Sequence, residues 1–200
     1  MVNDKARTFK LTYFDAPARA EPIRLIFVYF GQAFVDERLS REEWAQMKPG
    51  KIVLSESIGI ARFVSKTLGQ GFIGKTKSDA ARADMVVYSV SDLIVPIYFL
   101  KAAKTDEEKQ IATDRYTTAV ERFLRCSERI LSKNGGKHFV GSDMTWADIY
   151  AVYALWSIDE DGVVIIASHA YPSLHSFYLA MRAHPKLSEY IAEKWPTNMA

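Results

Sequence analysis

The hydrophobic positions near the N-terminus change from a period of two to a helical period. Phe9, Leu11 and Tyr13 alternate with polar residues, which predicts a half-buried strand. Apolar residues then recur at helical spacing over residues 23–30, and Pro22 suits the first turn of a helix. Tyr13 therefore ends a strand a few residues before a helix begins, and open α/β sheets bind ligands at such strand ends.

The same kind of pattern continues to about residue 68. Strands are predicted at Phe34–Leu39 and over residues 51–54, and helices are predicted after Ser40 and over residues 58–68. Ser40 and Glu43 have the spacing of a capping box, and Ser57 stands at the N-cap position of the second of these helices. Strands that alternate with helices indicate an α/β domain.

A glycine-containing break over residues 67–78 separates this part from a chain that is helical throughout. Long helices are predicted over residues 79–103, with a kink at Pro96, and up to Asn134. Thr145 and Asp148 resemble a capping box that starts a helix ending near residue 157, and Pro185 is expected to start a last short helix. The sequence thus predicts an N-terminal domain over residues 1–70 and an all-helical domain over residues 78–200.

Composition narrows the class of protein. Hydrophobic residues make up 48% of the 200 residues and charged residues 25%, with a net charge of +2, which is ordinary for a globular protein and does not favour nucleic acid as a partner. The apolar runs over residues 23–30 and 162–167 are too short to cross a membrane, and residues 1–7 lack the apolar core of a signal peptide. A single cysteine, Cys126, fits the cytoplasm, and its place in a helix predicts a buried structural thiol.

Several motifs then follow one another in a recognisable order. They are Lys-Leu-Thr-Tyr-Phe-Asp over residues 10–15, Arg-Ala-Glu-Pro-Ile-Arg over 19–24, Arg-Glu-Glu-Trp over 41–44, and further matches over 55–62, 74–76 and 145–148. This order resembles the cytosolic glutathione transferases, above all the sigma class and its nematode relatives. The resemblance implies a thioredoxin-like N-terminal domain followed by an all-helical bundle. It also implies a homodimer that transfers the thiol of glutathione to hydrophobic electrophiles.

The resemblance makes Tyr13 the catalytic residue, whose hydroxyl donates a hydrogen bond to the glutathione sulfur. A free thiol has a pKa of about 8.5, and a donor aimed at the thiolate lowers it. Tyrosine suits this role because its own pKa near 10 keeps it a neutral donor. Arg19 matches an arginine that supports this tyrosine in the family, although an ion pair with Glu21 or Asp15 would also explain it. Without the resemblance, Tyr13 could simply pack at a domain edge.

Five residues match the family's glutathione contacts besides the tyrosine. Ser57 at a helix N-terminus suits the γ-glutamyl carboxylate, and Glu56 suits the ligand ammonium. Trp44 and Lys48 match the residues that hold the glycyl end, an indole N–H and a cation that meet a carboxylate. Asp92 matches a residue that reaches the partner's glutathione across the dimer interface. Capping, surface packing and solvation are the alternative roles of these residues.

The resemblance also indicates a hydrophobic substrate pocket between the domains. Its matching positions are Phe14, Phe99, Tyr150 and Ala154, although aromatic residues on helices more often belong to a core. No metal is expected, because Tyr88 and Ser91 stand where vertebrate sigma enzymes carry metal-binding acids. The lack of a cysteine near Tyr13 argues against a thioltransferase.

Two departures from the family leave alternatives open. Pro17-Ala18-Arg19 replaces the usual Arg-Gly-Arg, which makes the turn stiffer. Between Pro49 and Gly50 the family has about a dozen more residues, roughly a strand with its turns. Either that segment is deleted or the sequence given omits it. A carrier of haem or other hydrophobic ligands with weak catalysis, possible prostaglandin isomerisation and a crystallin-like structural role are the other functions to consider.

Overall fold

The computed structural model describes residues 8–47, 54–162 and 169–195. Within these residues, two strands, β1 and β2, and eight helices, α1 to α8, follow in chain order, with a short 3-10 helix at Ala18–Ala20. The strands are β1, Phe9–Phe14, and β2, Phe34–Leu39. The helices are α1, Glu21–Phe30; α2, Arg41–Gln46; α3, Ser57–Leu68; α4, Lys77–Ala102; α5, Asp106–Lys133; α6, Trp146–Asp161; α7, Pro172–Arg182; and α8, Ser188–Lys194.

The N-terminal part is a β–α–β unit. Strands β1 and β2 are parallel and in register from Phe9 opposite Phe34 to Phe14 opposite Leu39. Helix α1 crosses between them and buries its apolar face, with the ring of Phe27 centred 5.2 Å from Phe9 and 4.5 Å from Phe34. The β–α–β pattern predicted from the sequence is therefore present. The predicted third strand falls on residues 51–53, outside the described residues, and on Leu54, which is not in a strand.

Helix α6 is the centre of the helical part. It is buried on nearly every side from Trp146 to Ile158, as expected for a helix that is apolar all round. Helices α1, α3, α4 and α7 pack against it, and α5 packs between α4 and α7. The backbone N–H of Trp146 also donates to the carbonyl of Phe72 at 3.0 Å, which ties the start of α6 to the segment after α3.

Most predicted boundaries are confirmed, and three details differ. Helix α8 begins at Ser188 and not at Pro185, because the intervening residues form turns bonded to the carbonyl of His184. Helix α6 runs on to Asp161, where Gly162 ends it in a left-handed conformation. In α3 the N-cap is Glu56 and Ser57 is the first helical residue. Pro96 lies inside α4 as predicted, and the kink expected there stays a prediction.

The prediction of a buried thiol at Cys126 is wrong, since the side chain is exposed. The buried face of α5 is taken by neighbouring residues, including Phe123, Leu124 and Ser127. Because the apolar stripe of this 28-residue helix is narrow, Cys126 lies beside the stripe on the solvent side.

Helix α4 carries a large exposed apolar surface that the sequence analysis did not single out. Among the described helices, it is the one long and apolar enough to cross a membrane by length and composition, with 28% of the most apolar window buried. A single helix of this kind is weak evidence for a span, because helices of globular proteins pass the same test. We call its exposed large apolar residues the outer face of α4; they are Met85, Tyr88, Val95, Tyr98 and Phe99.

Candidate functional site

Tyr13 lies next to the C-terminal end of β1 and is half-buried. The backbone N–H of Arg19, in the turn that leads to α1, lies near this hydroxyl and favours its ionised form. Ala18, just before Arg19, has a φ of 37°. This left-handed value is unfavourable for a residue with a Cβ atom, so the turn is strained where it presents the Arg19 N–H.

The surroundings of Tyr13 keep it protonated. Burial is the largest cause that raises the pKa of its hydroxyl above the usual value, and Tyr98 raises it further. The Arg19 N–H and the charges of Arg19 and Arg24 act in the opposite direction without cancelling the rise. No described residue accepts the hydroxyl proton, so it is available to a ligand. Tyr13 is therefore a neutral hydrogen-bond donor at neutral pH.

The ion pairs proposed as an alternative role for Arg19 are not formed. Glu21 binds Arg24, with 3.0 Å between Oε2 and Nη1, and Asp15 binds Arg38, with 2.9 Å between Oδ1 and Nη1. The Arg19 side chain is exposed and has no ion-pair partner within the described residues. Its charge is thus free to act on Tyr13 and on a ligand beside it.

An aromatic cluster extends from Tyr13 toward α2. The ring centroids of Tyr13 and Phe14 lie 5.4 Å apart, and those of Phe14 and Trp44 lie 5.4 Å apart. Helix α2 holds Trp44 in place through the predicted capping box, in which the Glu43 N–H donates to Ser40 Oγ and the Ser40 N–H donates to Glu43. Three residues predicted for the site, Tyr13, Phe14 and Trp44, are therefore neighbours.

The start of α3 has the features of an anion site. Glu56 has φ 69° and ψ 109°, an unusual conformation for a residue other than glycine. Strain of this kind is found preferentially at functional sites. Ser57 is in the first turn of α3, where backbone N–H groups point outward without helical partners, and its hydroxyl has no partner in the described part of the chain.

The remaining predicted residues are scattered. Lys48 lies outside the described residues. Asp92 is exposed on α4 and has no ion-pair partner among residues 8–47, 54–162 and 169–195. Phe99 is 57% exposed and lines a cleft of about 420 Å³ between the end of α4 and the start of α5. Tyr150 and Ala154 are only 4% and 2% exposed, so they belong to the core around α6 and not to an open cleft.

Two tyrosines near Tyr13 were missed by the sequence analysis. Tyr98 on α4 raises the pKa of Tyr13, and Tyr13 in turn raises the pKa of Tyr153 on α6, so both tyrosines lie near it. Each is next to a residue that the resemblance selected, Phe99 and Ala154 respectively. The sequence indicated these parts of α4 and α6, but it could not show which of two adjacent residues faces Tyr13. Within the described residues no group of three or more His, Cys, Asp or Glu side chains could hold a metal.

Comparison with known proteins agrees with this geometry. The model of the glutathione S-transferase C-terminal domain matches residues 90–194. Hematopoietic prostaglandin D synthase of Gallus gallus is 32% identical over 155 aligned positions, which cover 71% of this chain and 75% of that protein. The chain belongs to the glutathione S-transferase family. It is an enzyme of the sigma-like class, with a thioredoxin-like N-terminal domain and a helical C-terminal domain.

Nematode relatives match this glutathione transferase over nearly its whole length. Glutathione S-transferase 4 of Caenorhabditis elegans is 28% identical over 206 aligned positions, covering 93% of this chain and 96% of the relative. That alignment is longer than the 200 residues of this chain, so the relative has residues that this chain lacks. The structure of a monomeric glutathione S-transferase from the hookworm Necator americanus superposes with a TM-score of 0.78 at 28% identity, covering 96% of this chain and 100% of that one.

Proposed function

We propose that this transferase binds reduced glutathione with its sulfur beside Tyr13 and conjugates it to hydrophobic electrophiles. The observation that carries the proposal is the state of the Tyr13 hydroxyl, which stays protonated beside the Arg19 N–H and has no acceptor for its proton among the described residues. A neutral donor aimed at a sulfur favours the thiolate over the thiol. Lowering the thiol pKa by about two units corresponds to about 2.7 kcal/mol and makes most of the bound thiol reactive at neutral pH.

The other polar groups suit the two ends of glutathione. Ser57 and the free N–H groups of α3 would receive the γ-glutamyl carboxylate, and the Glu56 carboxylate would receive the ammonium. Trp44, with Lys48, would hold the glycyl carboxylate. Arg19 would add a positive field at the thiolate. No metal takes part in this proposal.

The electrophile would lie against Phe14, next to the sulfur. Phe99 would reach it from α4, whereas Tyr150 and Ala154 would shape the pocket from behind, as parts of the core. The Tyr150 hydroxyl is buried and has no hydrogen-bond partner among the described residues. Prostaglandin isomerisation is a second possible use of the same site, supported by the similarity to a prostaglandin D synthase.

A homodimer in the cytoplasm is the proposed setting, with domains over residues 1–70 and 78–200. The outer face of α4 supports the dimer, because a large exposed apolar patch on a globular protein usually marks an interface. Asp92 lies on the same helix, where it would reach the partner's glutathione. The monomeric hookworm relative shows that the fold also exists without a partner, so the oligomeric state must be measured.

The experiment that tests the function is glutathione conjugation to an aryl halide by the wild type and by Tyr13→Phe. We expect the wild type to turn over and the variant to lose about 10- to 100-fold in rate at neutral pH, since about two pKa units of thiol activation are lost. The rate of the variant should rise with pH as that of the wild type does, but at pH values about two units higher.

A ligand carrier is the alternative, and the altered turn and the shorter chain between α2 and α3 favour it. It would be supported if neither protein conjugates glutathione while both bind a hydrophobic dye tightly. An intact mass well above the 22.7 kDa of this sequence would show that the protein contains a further segment.

A further inference from the structure

Arg24 is a fully buried cation at the centre of a network in the N-terminal domain. Its Nε donates to both carboxylate oxygens of Asp36 on β2, at 3.0 and 3.1 Å. Its Nη1 donates to Glu21 Oε2 at 3.0 Å. These two ion pairs do not by themselves connect Arg24 to the catalytic turn. Alone, they would only be a structural feature of the domain.

The same Nη1 atom also binds the turn that follows β1. It donates to the carbonyl oxygens of Ala16, at 3.0 Å, and of Pro17, at 3.3 Å. These two carbonyls directly precede Ala18, the residue with the unfavourable φ of 37°. A strained conformation persists only where surrounding contacts hold it. Arg24 therefore supplies the contacts that hold the turn immediately before its strained residue.

The other end of the network is anchored far along the chain. Glu21 Oε1 accepts from the Tyr190 hydroxyl at 3.0 Å and from Trp195 Nε1 at 2.8 Å. Both donors come from α8 and the residue that follows it. Arg24 is thus fixed by β2 on one side and, through Glu21, by the C-terminal helix on the other, so its guanidinium is a rigid support.

This support keeps the backbone N–H of Arg19 beside the Tyr13 hydroxyl. Besides burial, Tyr98 from α4 and the two arginines Arg19 and Arg24 act on the pKa of Tyr13. Both arginines favour its ionised form, while Tyr98 opposes it. Loss of the turn geometry would move the Arg19 N–H away and leave the opposing effects of burial and Tyr98.

We infer that Arg24 is a positioning residue for catalysis, which holds the strained turn so that the Arg19 N–H meets the Tyr13 hydroxyl. The inference rests on the proposed role of Tyr13 in activating glutathione. Arg24 itself is buried beneath the site and touches no substrate. It acts on Tyr13 by keeping the Arg19 N–H beside the same hydroxyl.

The test compares Arg24→Met and Arg24→Lys with the wild type by two readouts. Nuclear magnetic resonance of protein labelled with ¹³C at tyrosine Cζ follows the titration of Tyr13, and its signal is assigned with Tyr13→Phe. For Arg24→Met we expect a Tyr13 pKa above that of the wild type, because the Arg19 N–H is no longer held beside the hydroxyl and a nearby cation is lost. We also expect kcat for conjugation to fall about tenfold and its pH profile to move up by about one unit, with KM for glutathione within about twofold.

Arg24→Lys keeps a cation opposite Glu21 and Asp36 and is the variant to use if Arg24→Met does not fold. A single ammonium cannot span both carboxylates and the turn carbonyls as the planar guanidinium does. We therefore expect the same direction of change in the Tyr13 pKa and the pH profile, at a smaller size. The part of the change in the Tyr13 pKa and the pH profile that Arg24→Lys recovers, relative to Arg24→Met, is the effect of charge. The part that remains is the effect of geometry.

Arg62→Met is the matched control. Arg62 forms an ion pair with Asp84 and lies over the Trp146 ring, 5.5 Å from its centroid, away from Tyr13. Its loss should lower the melting temperature without moving the Tyr13 pKa. The inference is overturned if the Arg24 variants lose stability while the Tyr13 pKa and the pH profile stay at wild-type values. A wild type that conjugates nothing overturns the proposed function instead, and the titration of Tyr13 still decides the role of Arg24 because it needs no substrate.

Discussion

The backbone N–H of Phe139 donates a 2.8 Å hydrogen bond to the carboxylate of Asp148, nine residues later in the chain. The other oxygen of this carboxylate accepts from the Thr145 N–H, also at 2.8 Å. Asp148 is fully buried, so one side chain satisfies a donor at the start of α6 and a donor in the loop before it. Because α6 is the centre of the helical core, this contact fixes the position of the whole bundle.

Asp148→Ala should destabilise the protein by about 2–6 kcal/mol, since it leaves two buried donors without a partner and each costs about 1–3 kcal/mol. Urea denaturation followed by circular dichroism measures the loss. Glu108→Ala is the matched control, because Glu108 forms the same kind of capping box with Thr105 at the exposed start of α5. Water replaces the lost acceptor there, so its effect should be clearly smaller. Equal losses for the two variants would contradict the role given to burial.

The two capping acids should also respond to pH in opposite directions. Burial raises the pKa of Asp148 to about 7, whereas backbone hydrogen bonds from Lys104 and Thr105 lower the pKa of Glu108. Because folding raises the pKa of Asp148, its ionisation equilibrium contributes to the free energy of unfolding. This contribution is complete below the unfolded pKa near 4 and disappears as the pH rises through 7. Because folding lowers the pKa of Glu108, its contribution to stability is present above the pKa of the unfolded chain and disappears in acid.

We therefore expect the stability difference between the wild type and Asp148→Ala to grow when the pH falls from 7.5 to 5, over the roughly three pH units that separate the two pKa values. The difference for Glu108→Ala should stay constant over that range and shrink below about pH 4. Denaturation curves at about pH 7.5, 5 and 3.5 measure both. Parallel pH dependence of the two differences would show that burial does not set the protonation of Asp148.

These capping acids also show how far sequence reasoning reached. The Thr145–Asp148 box was predicted together with the apolar pattern that follows it, whereas the Ser40–Glu43 box was predicted from its spacing alone, since α2 buries no residue. The equivalent box of Thr105 and Glu108 was missed, since the first turns of α5 are polar and no apolar stripe marks its start. Capping spacing can be read locally, but it is recognised more easily where a hydrophobic pattern marks the same helix.

Contacts between distant parts of the chain could not be predicted in the same way. The predicted site residues Tyr13, Phe14 and Trp44 come together through the parallel pairing of β1 and β2, which the β–α–β pattern implied. The hydrogen bond from Trp195 to Glu21 joins residues 174 positions apart, and no local pattern indicates it. The role of Arg24 was equally hidden, because its position in α1 resembles that of an ordinary helix arginine.

Ala18→Gly tests the strain in the catalytic turn. Glycine adopts a positive φ without the penalty of about 1–2 kcal/mol that other residues incur. Part of this gain is offset because glycine makes the unfolded chain more flexible, by about 0.4–1 kcal/mol. We expect a net stabilisation of about 0.5–1 kcal/mol in urea denaturation. Ala119→Gly, within α5, is the control and should lose about 1 kcal/mol. A loss for Ala18→Gly as well would mean that the turn is not strained in solution.

Ser57→Ala tests the anion site at the start of α3. A hydrogen bond to a charged group contributes about 1.5–3 kcal/mol, so KM for glutathione should rise about 10- to 100-fold. The group binds substrate and transition state alike, so kcat should change little. Steady-state kinetics at varied glutathione concentration measures both constants. Ser55→Ala, an exposed serine two residues earlier, is the control and should leave KM unchanged. A fall in kcat at constant KM would place Ser57 outside the glutathione-binding site.

Val95→Glu tests whether the outer face of α4 is a dimer interface. Val95 is 52% exposed in the single chain, and a charge placed there would be buried without a partner in a dimer. We expect the wild type to have the mass of two chains in size-exclusion chromatography with light scattering, and the variant to have the mass of one.

Leu179→Glu is the matched control for this change, because it adds the same charge to an exposed apolar position on α7, away from α4. It should leave the wild-type mass unchanged. If the wild type is already a monomer, like the hookworm relative, the outer face of α4 is not a homodimer interface and Asp92 has no partner glutathione to reach. If Val95→Glu stays dimeric while the wild type is a dimer, the two chains associate through another surface.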